Sequence, residues 1–178
     1  MSNSKLITVK PNSKSVSQAL LLFSGREYIC AIGAGGVRKD KVEGDLSTPV
    51  GTFPLRCVLF RPDRLKRPET GLNTLPIEPD DIWCDDPKDN AYNTRLKLPT
   101  ESSYENLWRE ENIYDIVVPI GYNDHPPIPK KGSAIFIHIA HKGMSPTHGC
   151  VALDQKDLLE IIERVDTDTK IKIDNISG

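Results

Sequence analysis

With 14 prolines and 12 glycines in 178 residues, the backbone is punctuated at about one position in seven. Proline removes a backbone donor, and glycine weakens helices and strands alike by its conformational entropy. A chain interrupted this often cannot build a long helical bundle and favours short strands joined by ordered loops. Only one stretch carries a strong helix signal. Asp154 is placed as an N-cap with Asp157 three residues on, and Leu158, Leu159, Ile161, Ile162 and Val165 line one stripe.

Elsewhere the pattern is that of strands. Leu6 to Val9, Ala19 to Phe23 and Glu27 to Ala34 are predicted strands, the last two joined by the turn Ser24-Gly25-Arg26. Turn chemistry from Gly44 to Pro54 leads into a strand through Leu55 to Phe60. From Arg61 to Pro99 the chain is polar and irregular, and an aperiodic stretch this long is more often functional than idle. Ser102 to Glu111 is predicted as a short helix carrying Leu107 and Trp108, and Tyr114 to Tyr122 as a strand. Ile135 to Ala140 alternates, with Ile135, Ile137 and Ile139 on one face and Phe136, His138 and Ala140 on the other. Thr169 to Ile173 closes the chain as a strand. No repeat, low-complexity tract or charged linker divides residues 1–178. The expectation is one mainly β domain of two packed mixed sheets, a sandwich or open barrel, with one helix after Cys150.

Charge and hydropathy narrow the partners. Lys plus Arg is 23 and Asp plus Glu is 25, a formal charge of −2, so no basic footprint for nucleic acid is present. No run approaches the roughly 20 apolar residues of a membrane span. Before Pro11 only Leu6, Ile7 and Val9 are bulky and apolar, too few for a signal-peptide core. A cytoplasmic location is expected, with a periplasmic one as the alternative if export takes another route or a leader has been removed. Cys30, Cys57 and Cys84 are too dispersed for a disulfide framework or a Cys-x-x-Cys pair and read as free thiols. Gly33-Ala34-Gly35-Gly36 lacks the Lys-Ser/Thr ending and the following helix of a phosphate loop. Oligomeric state is not legible.

The chemistry concentrates in one place. Three of the four histidines, His138, His141 and His148, fall within the thirteen residues ending at Cys150. A free thiol of pKa ~8.5 is only about 3% thiolate at neutral pH, so a nucleophilic cysteine benefits from a nearby imidazole. His138 on a strand can supply that base if the intervening loop folds back. Gly149 lets a carbonyl approach the backbone, so the N–H groups of Gly149 and Cys150 are candidate oxyanion donors. Other readings of the same residues stand beside this one. His138, His141, His148 and Cys150 are all acceptable zinc ligands, although their spacing matches no common structural site, and a buried thiol among incidental histidines needs no chemistry at all. His125, between Asp124 and Pro126, reads as a solvated loop residue.

His138 through Cys150, followed by Val151-Ala152-Leu153, resembles the signature of the L,D-transpeptidase catalytic domain (YkuD-type) family: a strand histidine, a loop, then Ser/Thr-x-Gly-Cys. Gly44-Asp45 with Thr48-Pro49-Val50-Gly51-Thr52-Phe53 resembles its upstream motif. Trp83-Cys84-Asp85-Asp86-Pro87, Tyr92-Asn93, Tyr114-Asp115 and Gly121-Tyr122-Asn123 resemble a bacterial branch of it. The resemblance spans about Tyr28 to Ile173. It implies a cysteine acyl transferase acting on peptidoglycan stem peptides, without metal or cofactor. Cys150 would be the nucleophile, His138 the proton carrier, and the Ile139 carbonyl the group that orients the imidazole. Gly149, His148 and Thr147 would flank the thiol, and Trp83, Asp85, Tyr92, Asn93 and Tyr122 are candidate cleft residues. A cytoplasmic member would instead trim terminal D-Ala from recycled muropeptides as an L,D-carboxypeptidase, and a silent peptidoglycan-binding module is the remaining alternative. The pattern departs from many members at Ala152, where they carry arginine two residues after the cysteine.

Overall fold

The computed structural model describes residues 5–176. Its strands in chain order are β1 (Leu6–Pro11), β2 (Gln18–Phe23), β3 (Arg26–Ala31), β4 (Val37–Arg38), β5 (Thr48–Pro49), β6 (Gly51–Pro54), β7 (Val58–Phe60) and β8 (Thr74–Pro76). There follow β9 (Asp81–Cys84), β10 (Arg95–Lys97), β11 (Tyr104–Asn106), β12 (Ile116–Pro119), β13 (Phe136–Ile139), β14 (Val151–Leu153), the helix α1 (Gln155–Ile162) and β15 (Lys170–Ile173). β1 buries Ile7 and Val9 and turns Leu6 to solvent, the alternation of a half-buried strand. Ser24 and Gly25, with φ of 48° and 76°, make the two-residue turn whose twist suits the β2–β3 hairpin. Asp154 caps α1 by accepting from the Lys156 N–H at 2.9 Å, as its sequence position indicates.

Ten strands form one mixed sheet in the order β6-β15-β1-β2-β3-β14-β13-β12-β7-β8. The β1–β15, β13–β14 and β7–β8 pairs are parallel and the remainder antiparallel. The sheet curls until its β6 edge meets the end of β12. Leu55 bridges to Ile120, the Arg56 N–H donates to the Pro119 carbonyl at 3.0 Å, and the Gly121 N–H donates to the Pro54 carbonyl at 2.8 Å. Of the strand expected from Leu55 to Phe60 only Val58–Phe60 forms, as β7, while β6 lies earlier in the segment expected as turn, because residues 55–57 carry the chain across from β6 to β7. Leu158, Ile161 and Ile162 of α1, with Val165 just after it, fill the enclosed core beside Ile7, Leu21, Ile137 and Ile171. Burying each such side chain contributes about 1.5–3 kcal/mol.

The second layer is a three-stranded antiparallel sheet, β10-β9-β11. It comes from the stretch expected to be irregular and from the stretch expected to be a short helix. Strands of three or four residues are too short to show a period, and here distant partners define them: the Leu107 N–H donates to the Asp81 carbonyl at 3.1 Å. Leu107 and Trp108 act as single anchors rather than a helical stripe. Leu107 is fully buried, and Trp108 lies under the Arg61 guanidinium, 3.6 Å from the ring centroid. The one helical turn nearby, a 3-10 turn at Asn112–Tyr114, falls later than expected. A second apolar cluster, including Leu59, Leu107, Tyr114, Val117 and Phe136, lies between the layers. β13 is buried on both faces: Ile137 and Ile139 point into the barrel core, Phe136 into the second cluster.

Candidate active site

β13 and β14 are parallel neighbours, with Ile137 opposite Val151 and His138 opposite Ala152. Residues in register share a face, so this pairing sends Cys150, one step before β14, to the face of β13 that carries Phe136 and His138. Cys150 accordingly belongs to the cluster around Phe136. The loop between the strands ends in a turn fixed by Thr147. Its Oγ1 donates to the Cys150 carbonyl at 2.7 Å and accepts the Gly149 N–H at 3.1 Å. Its backbone is tied to the chain beyond β3, through Thr147 N–H to the Ile32 carbonyl at 3.0 Å and Ala34 N–H to the Thr147 carbonyl at 2.9 Å. Gly149 has a φ of 135°, and a Cβ there would lie 2.8 Å from the Ser47 carbonyl oxygen, so only glycine fits. Because Thr147 already takes the Gly149 N–H, that group is not the free oxyanion donor expected of it.

His138 Nδ1 lies 2.8 Å from the Ile139 carbonyl. A proton on Nδ1 satisfies that oxygen and leaves Nε2 as the basic nitrogen. The ring also meets Tyr114 edge to face, at 5.1 Å between centroids. Burial pushes the imidazole down to about 4, against the carbonyls of Ile139 and Ile113, which favour the cation. Cys150 is 6% exposed; its S–H donates to the Ala134 carbonyl at 3.2 Å, and its sulfur accepts the Phe136 N–H at 3.3 Å. Burial pushes the thiol up to about 12, reinforced by the Glu105 carboxylate and opposed by the Phe136 amide, Lys41 and Arg109. The resting pair is therefore neutral, thiol and imidazole. Both line one cleft of about 410 Å³, but among the described residues they are not hydrogen-bonded to each other.

The sequence matches the family model of the L,D-transpeptidase catalytic domain (YkuD) over residues 5–173. The chain belongs to this family. Similar solved structures include an L,D-transpeptidase from Mycobacterium smegmatis, at 13% identity and a TM-score of 0.46 over 97% of this chain and 59% of that one. L,D-transpeptidase 1 of Mycobacterium tuberculosis is similar at 11% identity and a TM-score of 0.42, over 97% of this chain and 60% of that one. L,D-transpeptidase 3 of the same organism, solved with a faropenem-derived adduct, is similar at 14% identity and a TM-score of 0.43, over 97% of this chain and 60% of that one. The chain thus spans about six-tenths of the length of these proteins. No curated protein matches it.

Within this L,D-transpeptidase fold the other sequence candidates separate. Asp85, Thr147 and His148 line the cleft with His138 and Cys150, and so does His141. Trp83, Tyr92, Asn93 and Tyr122 do not. Trp83 packs its ring edge against Phe136 at 4.9 Å, Tyr92 and Asn93 are 2% and 5% exposed, and Tyr122 meets Phe53 edge to face at 5.5 Å. Tyr92 and Asn93 are interior residues, as loops with buried backbones need large side chains and amides to fill and satisfy them, and Trp83 and Tyr122 are half-buried. His125 is exposed. Glu105 and Arg109, which the sequence does not single out, face the cleft, as does Tyr114, quoted there only within the Tyr114-Asp115 motif. Tyr114 Oη donates to Glu105 Oε1 at 2.5 Å, and the Arg109 guanidinium pairs with that carboxylate at 3.1 Å and stacks over the Tyr114 ring at 4.8 Å. Burial raises the Glu105 carboxyl, opposed by Tyr114 and Arg109. Ala152 is 1% exposed and lies in register between His138 and Ala31. The guanidinium in this cleft is that of Arg109, brought by a different segment; no motif in the sequence points to it.

Proposed function

We propose that this L,D-transpeptidase-family chain is a cysteine acyl transferase acting on peptidoglycan stem peptides, with Cys150 as nucleophile and His138 as proton carrier. The observation that carries the reading is the β13–β14 register, which delivers thiol and imidazole to one wall of one cleft while the Ile139 carbonyl holds Nδ1. Attack of Sγ on the carbonyl of an L-centre residue, such as diaminopimelate, forms the S–C bond as the thiol proton passes to His138 Nε2. Collapse of the tetrahedral adduct breaks the bond to the D-amino acid, whose nitrogen takes that proton as it leaves. An amine or water then attacks the thioester, gives up its proton through His138, and restores the thiol. Because the resting thiol is neutral, its proton has to move as the S–C bond forms, so His138 acts during acylation rather than by storing a thiolate beforehand.

Incubation with a tetrapeptide muropeptide, with and without an amine acceptor, tests this by mass. A joined dimer marks transpeptidation; release of D-Ala with a tripeptide product marks the carboxypeptidase outcome. Turnover that persists in Cys150→Ala would overturn the assignment.

A further inference from the structure

The Ala134 carbonyl, which accepts the Cys150 S–H, belongs to a residue with a φ of 52°. That left-handed conformation is uncommon for a residue with a Cβ and persists where the surroundings hold it. The hold comes from the loop between β9 and β10. Asn93 Oδ1 accepts the Ala134 N–H at 3.0 Å and the Trp83 Nε1–H at 2.9 Å. Asn93 Nδ2 donates to the Tyr122 carbonyl at 3.1 Å and the Asn123 carbonyl at 2.8 Å. A carboxamide has two acceptor sites and two donor hydrogens, so this side chain is fully engaged. Next to it, the Tyr92 hydroxyl accepts the Gly132 N–H at 3.0 Å and donates to Glu43, which also accepts from Ser133 Oγ at 2.7 Å. Gly132 and Ala134 are thus held by Tyr92 and Asn93, about forty positions earlier, and Ser133 between them by Glu43, ninety positions earlier.

We propose that Asn93, with Tyr92 as a second arm, is a positioning residue that aims the Ala134 carbonyl at Cys150 and keeps the thiol proton there until substrate enters. This rests on Cys150 being the nucleophile. An acceptor for S–H stabilises the neutral thiol, so loosening Ala134 lets the sulfur ionise more easily. The same loosening frees the sulfur from its fixed place opposite the substrate carbonyl, and small displacements of a nucleophile are costly in rate. The charged and titratable groups that share the cleft with the sulfur or act on it are His138 on β13, His141 and His148 after it, Tyr104 and Glu105 on β11, Arg109 and Tyr114 beyond β11, Asp85 after β9, and Lys41 and Glu43 between β4 and β5. None of these is hydrogen-bonded to Asn93, so a change at Asn93 reaches the thiol through Ala134.

The test is the pH dependence of Cys150 alkylation by iodoacetamide, read by mass on the Cys150 peptide, alongside kcat and KM on the tetrapeptide muropeptide. In Asn93→Ala the midpoint of alkylation is expected to fall by about one pH unit and kcat by about tenfold or more, with KM little changed. Tyr92→Phe is expected to move both in the same direction by less. Thr94→Val, in the same loop but altering a hydroxyl that donates to the Ala91 carbonyl rather than to Ala134, is expected to match the unaltered protein. An unchanged midpoint in folded Asn93→Ala overturns the proposal; if that variant does not fold, an unchanged midpoint in Tyr92→Phe does so. Alkylation needs no turnover, so this result is independent of whether Cys150→Ala removes activity, which tests the nucleophile itself.

Discussion

At the scale of single residues, the site is built from groups kept neutral by burial. His138 is pushed down to about 4 and Cys150 up to about 12, both chiefly by removal from water. An imidazolium cannot accept the thiol proton, so activity is lost only as pH falls through the folded value of His138. The acid limb of kcat/KM is therefore expected well below pH 6.5, and a limb near 6.5 would show a solvated imidazole. The same burial has a stability consequence. The unfolded chain binds a proton at His138 below about 6.5, whereas the folded chain does not until about 4. Stability from this group is complete above pH 6.5 and is lost as pH falls from there towards 4, by up to about 3 kcal/mol. Denaturant unfolding of the protein and of His138→Gln at pH 4.5 and 7 should show a smaller pH dependence in the variant. Cys150→Ala is expected to abolish turnover, and His138→Ala to reduce it by about 10²–10⁴. Cys30 and Cys57 lie outside the cleft, and their alanine variants are expected to retain turnover in the same assay.

At the scale of elements, the pairing of β13 with β14 does most of the positioning, and its tolerance is small. Ala152 lies buried between His138 and Ala31, so Ala152→Arg would force a long cation into a packed row. Burying a charge without a partner is costly, and a loss of several kcal/mol in unfolding free energy is expected. Gly149→Ala would place a methyl against the Ser47 carbonyl at a φ favourable only to glycine. Loss of 1 kcal/mol or more, together with loss of Cys150 acylation by a carbapenem followed by mass, is the expected outcome. The β1–β2–β3 meander, β13 and α1 were legible beforehand, because alternation, a Gly-containing turn and an N-cap are local signals. β8, β9, β10 and β11 were not: each has three or four residues, and their existence depends on partners elsewhere in the chain.

At the scale of the whole molecule, the closing strand β15 lies between β1 and β6, parallel to one and antiparallel to the other. Ending the chain at residue 169 would leave β6 without a partner strand and β1 paired only with β2, and would empty the core positions of Ile171 and Ile173, so cooperative thermal unfolding by circular dichroism is expected to disappear. The cleft depends on the second layer as well, since Glu105 and Arg109 arrive there with β11 and the segment after it. The residue order alone determined that the chain is mainly β, that one helix follows Cys150, and that its reactive groups cluster between His138 and Cys150. Those are properties of neighbours along the chain, written in periodicity, turn residues and a short motif. Tertiary structure decided that Glu105, Arg109 and Tyr114 face the thiol, that Tyr92 and Asn93 grip Gly132 to Ala134 instead of lining the cleft, and that thiol and imidazole rest neutral. Such facts arise from burial and from contacts between segments remote in sequence, and no local pattern encodes how much water a side chain loses when the sheet closes over it.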